Sequence, residues 1–243
     1  MPILRGGRTV YGHALGVLML ESRFPRAWGD VGHARTWPFP VHYLVVEGAT
    51  PSRVVGPEPD PNLLEQFVDG ARALAADGVA AITTSCGYLA AFQRELAAAV
   101  DVPVLTSALL QVPLAARLIR PDQRVGILTE RPLLANVHYI GAGWSPGDIP
   151  VVVEALPDGA VFPTVFVDGG LEVDTDMLHG EMVEAATRLV QDHPEVGAIV
   201  LECTNFVPFS QAIRRATGRP VFDHYTLVMH AYLATTGVDF PPG

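Results

Sequence analysis

Two stretches decide the fold: Val79-Ala80-Ala81-Ile82-Thr83-Thr84-Ser85-Cys86 and, half a chain later, Gly197-Ala198-Ile199-Val200-Leu201-Glu202-Cys203. Each is a short apolar run of the kind that forms a buried strand, each ends in polar residues and a cysteine, and each leads into a segment that reads as the start of a helix. Similar short runs stand at 14–20, 41–46, 102–105, 124–128, 151–154 and 220–222. Between them, Leu63, Leu64, Phe67, Val68, Ala71, Leu74 and Ala75 fall at helical spacing after Asp60-Pro61-Asn62, with Gly78 as the stop. Met177, Met182, Ala185, Ala186, Leu189 and Val190 do the same after a cap at Asp174 or Thr175. Strands alternating with helices predict a mainly parallel α/β architecture. The halves share a layout of strand, strand, long helix, strand ending in cysteine, and helix, although no residue-level repeat is visible. We therefore expect two pseudo-symmetric lobes facing each other across a cleft: 1–106 plus 206–243 carrying Cys86, and 107–205 carrying Cys203.

Composition narrows the function. The 243 residues are 49% hydrophobic and 17% charged, which excludes a disordered chain, and a net charge of -10 repels nucleic acid and anionic membranes. The longest weakly charged stretch, 102–119, contains Pro103, Gln111, Pro113 and Arg117 and reads as a buried strand plus helix instead of a membrane span. The first twenty residues lack a continuous apolar region before a small-residue cleavage site, so a cytoplasmic location is expected. Two cysteines are too few for a disulfide framework and are expected to be free. All 16 basic residues are arginine, which removes lysine Schiff-base chemistry. No His, Cys or carboxylate spacing matches a metal site, and Gly141–Gly147 does not fit the dinucleotide pattern.

A thiol at a helix start gains from the positive end of the helix dipole, which favours a thiolate below the ordinary pKa of about 8.5. Two such helix starts face to face would hold a small carboxylate between two sulfurs. The competing reading of each cysteine is a buried small hydrophobe.

Ser85-Cys86-Gly87 and Cys203-Thr204-Asn205 resemble the paired motifs of the aspartate/glutamate/hydantoin racemase superfamily. Its members are cofactor-independent and carry one cysteine in each of two flavodoxin-like lobes. The resemblance implies an isomerase acting at the carbon α to a carboxylate in an amino acid or related small acid. Cys86 and Cys203 would then work from opposite faces as thiolate base and thiol acid, with no cofactor. A homo-oligomer is compatible with the resemblance. Glu21-Ser22 looks like the acidic-plus-serine element that glutamate racemases place against the substrate amino group. The chain departs from the glutamate racemases at Gly87-Tyr88, where they have Asn-Thr, and at Glu202-Cys203-Thr204-Asn205, where they have Gly-Cys-Thr-His. The missing histidine leaves Glu202, Asn205 or His224 to tune the second thiol. Arylmalonate decarboxylases keep only the second cysteine and maleate isomerases keep both, so decarboxylation and cis-trans isomerisation are the alternatives on this scaffold. A non-catalytic carboxylate binder is the alternative from another class.

Further candidates come from position. Ser85, Gly87, Tyr88, Thr204 and Asn205 flank the thiols and are expected to contact substrate. The Gly-, Pro- and aromatic-rich segment Glu21–His33 reads as a functional loop, with Arg23 or Arg26 receiving a second carboxylate and Phe24 and Trp28 closing the pocket. Thr129 ends the fifth strand and, with Glu130 opening a helix, is expected at the pocket edge or as an N-cap.

Overall fold

The computed structural model describes residue 3 and residues 6–237, so residues 1–2, 4–5 and 238–243 of the expected first lobe lie outside the described residues. In chain order the elements are β1 (Leu15–Leu20), β2 (Val41–Val46), α1 (Pro51–Val54), α2 (Leu64–Asp77), β3 (Ala81–Thr84), α3 (Gln93–Ala98), β4 (Val104–Leu105), α4 (Val112–Leu118), β5 (Arg124–Thr129), α5 (Asn136–Gly141), β6 (Val151–Ala155), α6 (Val161–Phe166), α7 (Thr175–Asp192), β7 (Val196–Leu201), α8 (Ser210–Thr217), β8 (Val221–Phe222) and α9 (His224–Thr236). They build two four-stranded parallel sheets, ordered β2-β1-β3-β4 and β6-β5-β7-β8. All eight expected strands form. Helices and loops cover both faces of each sheet, so β1 and β7 are buried at every residue and read in the sequence as unbroken apolar runs.

The two long helices start and stop as their sequences dictate. Asp60 accepts the Asn62 N–H ahead of α2, Gly78 closes that helix at φ +85°, and Asp174 accepts the Asp176 N–H at the head of α7. Their inner faces, Phe67, Ala71 and Leu74 on α2 and Met182, Ala186 and Leu189 on α7, are fully buried. Each large side chain among them contributes about 1.5–3 kcal/mol by leaving water. A Cβ on Gly16 of β1 would lie 2.9 Å from Leu74 Cδ1, and one on Gly126 of β5 would lie 2.8 Å from Leu189 Cδ2. In both lobes, then, a helix leucine sits on a strand glycine. The internal repeat absent from the sequence is present in the register.

Three expectations are corrected. β8 pairs with β7, and α8 packs on α7, so residues 206–222 accompany the second sheet and only α9 crosses to pack on β3 of the first. Each cysteine opens a six-residue 3-10 segment, Gly87–Phe92 or Thr204–Phe209, and α3 and α8 begin only after these. No helix starts at Glu130; the chain is irregular to Ala135, because Pro132 and the turn around it delay α5 to Asn136. Among the described residues no helix is long and apolar enough to cross a membrane.

Candidate active site

Both cysteines leave the carboxyl ends of inner parallel strands, the edge at which α/β sheets bind ligands. The two turns press together. Thr204 Oγ1 donates to the Ser85 carbonyl at 2.7 Å, and a Cβ on Gly87 would lie 2.2 Å from the Glu202 carbonyl oxygen. Only glycine fits at 87.

Between the lobes lies a narrow, nearly closed cavity of about 10 Å³, the room one water molecule needs. Its apolar walls are Leu20, Phe24, Pro51, Val55 and Phe166, and its polar groups are Arg26, Ser85, Cys86, Glu130, Cys203 and Asn205. Arg26, Phe166 and Asn205 also border a wider depression lined by Pro25, Val173, Leu178 and Phe209. A substrate of a few carbons fits only after side chains at the cavity mouth move aside.

Four of the polar groups join through Asp30 in one chain of contacts. Cys203 Sγ donates to Glu130 Oε2 at 3.0 Å and lies 3.6 Å from Asn205 Oδ1. The Asn205 amide donates to Asp30 Oδ2. Asp30 Oδ1 accepts from Arg26 Nη1 at 2.6 Å and from the Gly32 N–H at 2.7 Å, and Arg26 Nη2 donates to Ser22 Oγ at 3.0 Å. The loop after β1 is thereby tied to the turn that carries Cys203. Ser85 Oγ accepts the Leu20 N–H at 2.8 Å, and the amides of Tyr88 and Leu89 reach the Cys86 sulfur. Behind the thiols, Glu202 Oε2 accepts from Thr129 Oγ1 at 2.8 Å, while its Oε1 is buried without a partner.

Electrostatics reverse the expected direction of the thiol pKa values. Burial pushes both thiols well above the ordinary value, and the carboxyls of Glu130 and Glu202 push them further; the backbone amides that reach each sulfur do not offset this. Burial also raises Glu130 from 4.5 to about 7, against the lowering effect of the Cys203 contact and of Arg131. Glu202 is raised well above the ordinary carboxyl value by burial and then by Glu130. The group that titrates near neutrality in this cavity is therefore a carboxyl touching a thiol, and the thiols are protonated at rest.

Of the residues singled out in the sequence, Cys86, Cys203, Ser85 and Asn205 meet in the cavity, with Phe24 closing it as expected. Gly87, Thr129, Thr204 and Glu202 form the layer behind them. Others point elsewhere. Glu21 is exposed and accepts the Gly48 N–H at 2.8 Å, and Arg23 is exposed outside the cavity, where Arg26 takes the position expected of it. Ser22 reaches the site only through Arg26. The Tyr88 hydroxyl donates to the Arg131 carbonyl at 2.9 Å. His224 is buried 2.8 Å from Thr83 Oγ1, away from both sulfurs, and Trp28 stands 66% exposed in an outer cleft with Trp37 and Tyr225. The sequence reading placed Thr129-Glu130 at the pocket edge and Asp30 in the functional loop but missed that Glu130 contacts a thiol and that Asp30 ties the loop to Asn205. Glu130 did carry a signal: it is an acid directly past an apolar strand at the ligand-binding edge.

Two parallel sheets that each present a cysteine to a shared cavity define a class of two-lobed α/β proteins. The chain belongs to the Asp/Glu/Hydantoin racemase family, whose pattern it matches over residues 48–231. It is 31% identical over 222 residues to dimethylsulfoniopropionate lyase 3 of Emiliania huxleyi, a match that covers 88% of this chain and 57% of that protein. The chain thus spans a little over half the length of that relative. Its fold is that of unliganded arylmalonate decarboxylase, with TM-score 0.60, 17% identity, and coverage of 95% of this chain and 96% of the other. The fold is also that of allantoin racemase from Klebsiella pneumoniae, with TM-score 0.60, 19% identity, and coverage of 94% of each chain.

Proposed function

We propose that this protein is a lyase that removes the proton α to a carboxylate and expels a leaving group from the β carbon, with a β-sulfonio acid such as dimethylsulfoniopropionate as substrate. The observation that carries the reading is the buried 3.0 Å contact between Cys203 Sγ and Glu130 Oε2, with Glu130 held at about 7. A thiol pushed upward by burial becomes a base only if a neighbour takes its proton, and Glu130 is placed and tuned to do so.

The sequence of events balances without a cofactor. Glu130 takes the Cys203 proton, and the thiolate takes the α proton. The C–H electron pair becomes the new C=C bond, and the β C–S bond breaks with its pair on dimethyl sulfide, leaving acrylate. Cys203 is then again a thiol, and Glu130 releases the proton it took at the start to water. Arg26 and Ser85 hold the carboxylate. Phe24 and Phe166, which stack edge to face 4.9 Å apart, cover the sulfonium, a cation that the buried carboxyls also favour. The lyase relative supports this outcome.

Racemisation, the outcome expected from the sequence motifs, uses the same proton removal but requires a proton donor on the opposite face. Cys86 in the same cavity is the observation that favours it. Proton NMR in D2O separates the two. Dimethylsulfoniopropionate and single-enantiomer aspartate, glutamate and allantoin are each incubated with the protein and with Cys203→Ser. The lyase reading expects vinyl resonances of acrylate from the first substrate alone, lost in the variant. Enantiomer exchange of the others, without acrylate, would replace it with the racemase reading.

A further inference from the structure

The lobes differ at one register-equivalent position that lines the cavity. The Ser85 N–H donates to the Leu18 carbonyl at 3.0 Å, and the Glu202 N–H donates to the Leu128 carbonyl at 3.0 Å. Leu18 is in register with Thr84, and Leu128 with Leu201. Counting outward from these matched pairs, Cys86 corresponds to Cys203, and Leu20 corresponds to Glu130. Both Leu20 and Glu130 line the cavity. Cys203 therefore has a carboxyl at 3.0 Å, whereas the register puts an apolar residue, Leu20, at the equivalent position in the lobe of Cys86. No carboxylate contacts the Cys86 sulfur among the described residues, and the charges of Glu130 and Glu202 both oppose its ionisation.

We infer that the chemistry is single-faced: Cys203 with Glu130 is the base, Cys86 remains a thiol that donates a hydrogen bond or proton from the other face, and Leu20 is the residue that keeps the two roles from exchanging. A two-way racemase needs a proton acceptor for each thiol. Here the acceptor is built into one lobe only. The inference rests on the proposed removal of an α proton, and it specifies which face loses that proton and which residue decides it.

The test uses dimethylsulfoniopropionate carrying one deuterium at the α carbon, as its separate R and S forms, with the deuterium content of the acrylate read by mass spectrometry. Single-faced removal predicts that the wild-type protein gives acrylate retaining nearly all the deuterium from one form and nearly none from the other. Cys86→Ser should keep that discrimination at a lower rate, and Cys203→Ser should give no acrylate. Leu20→Glu supplies a second acceptor and should reduce the discrimination at least tenfold; the wild-type and Cys86→Ser results decide the matter even where this variant does not fold. Equal deuterium content from the two forms would overturn the inference while leaving the elimination reading intact; acrylate production that survives in Cys203→Ser and vanishes in Cys86→Ser would overturn both the inference and the assignment of Cys203 as base, leaving only the elimination itself. No acrylate from the wild-type protein overturns the elimination reading, and the inference with it.

Discussion

Glu130→Gln preserves the size of the side chain next to Cys203 but removes its ability to take the thiol proton. In the folded protein burial raises this carboxyl from 4.5 to about 7, a difference that corresponds to about 3 kcal/mol. The folded protein binds that proton more tightly than the unfolded chain. The associated stability is therefore full below pH 4.5 and lost as pH rises through about 7. At pH 8 the wild-type protein carries an ionised carboxylate in a buried cavity near Arg26, Arg131, Glu202 and the two thiols. The glutamine variant carries a neutral amide and should be more stable there by up to about 3 kcal/mol, with the gain disappearing toward pH 5. Activity should move the other way. Losing a positioned general base costs about 10²–10⁴ in rate, and the rise of wild-type activity through pH 7 should vanish from the variant's profile. Urea unfolding followed by circular dichroism at pH 5 and 8, alongside initial rates of dimethyl sulfide release from pH 5 to 9, checks both. A variant that is less stable than wild type at pH 8, or that keeps wild-type turnover, refutes the reasoning.

Three further outcomes follow from the same geometry. Gly87→Ala drives a methyl into the Glu202 carbonyl and Oε1, so it should cost about 3 kcal/mol or more in urea unfolding and abolish turnover by separating the two cysteine turns. Asn205→Ala leaves the Asp30 carboxylate short of a donor in a buried place, which costs about 1–3 kcal/mol and loosens the loop that carries Arg26; the substrate KM should rise more than kcat falls. His224 is held down to about 4 by burial, so the unfolded chain takes its proton first and the stability present above pH 6.5 is lost as pH falls toward 4. Comparing His224→Gln with wild type by thermal unfolding between pH 7 and 4 should show that part of the acid loss, up to about 3 kcal/mol, missing from the variant.

The fold was legible because parallel strands covered on both faces leave apolar runs with little else to imitate them, as Leu15–Leu20 and Val196–Leu201 show. The caps at Asp60 and Asp174 and the stop at Gly78 were equally plain, since they act through neighbours in sequence. The matched lobes were half visible: the strand order repeats, but the residues that repeat, such as Gly16 under Leu74 and Gly126 under Leu189, are too few and too far apart to align by eye. The site was legible only at the cysteines and their immediate neighbours. Which arginine of a loop enters the cavity depends on the path from Ser22 to Asp30, and propensities do not specify that path; Arg26 does and Arg23 does not. The thiol pKa direction was misread for a related reason. The amides at the turn were anticipated, but burial and two carboxyls brought in from distant parts of the chain outweigh them.

The most direct test of the Cys203–Glu130 base is headspace gas chromatography of dimethyl sulfide from dimethylsulfoniopropionate at pH 8, run with the wild-type protein and Cys203→Ala side by side. The proposed elimination predicts steady release by the wild-type protein and at least a thousandfold less from the variant, a loss of about 4 kcal/mol in transition-state stabilisation. Equal release from both, or none from the wild type, would contradict it.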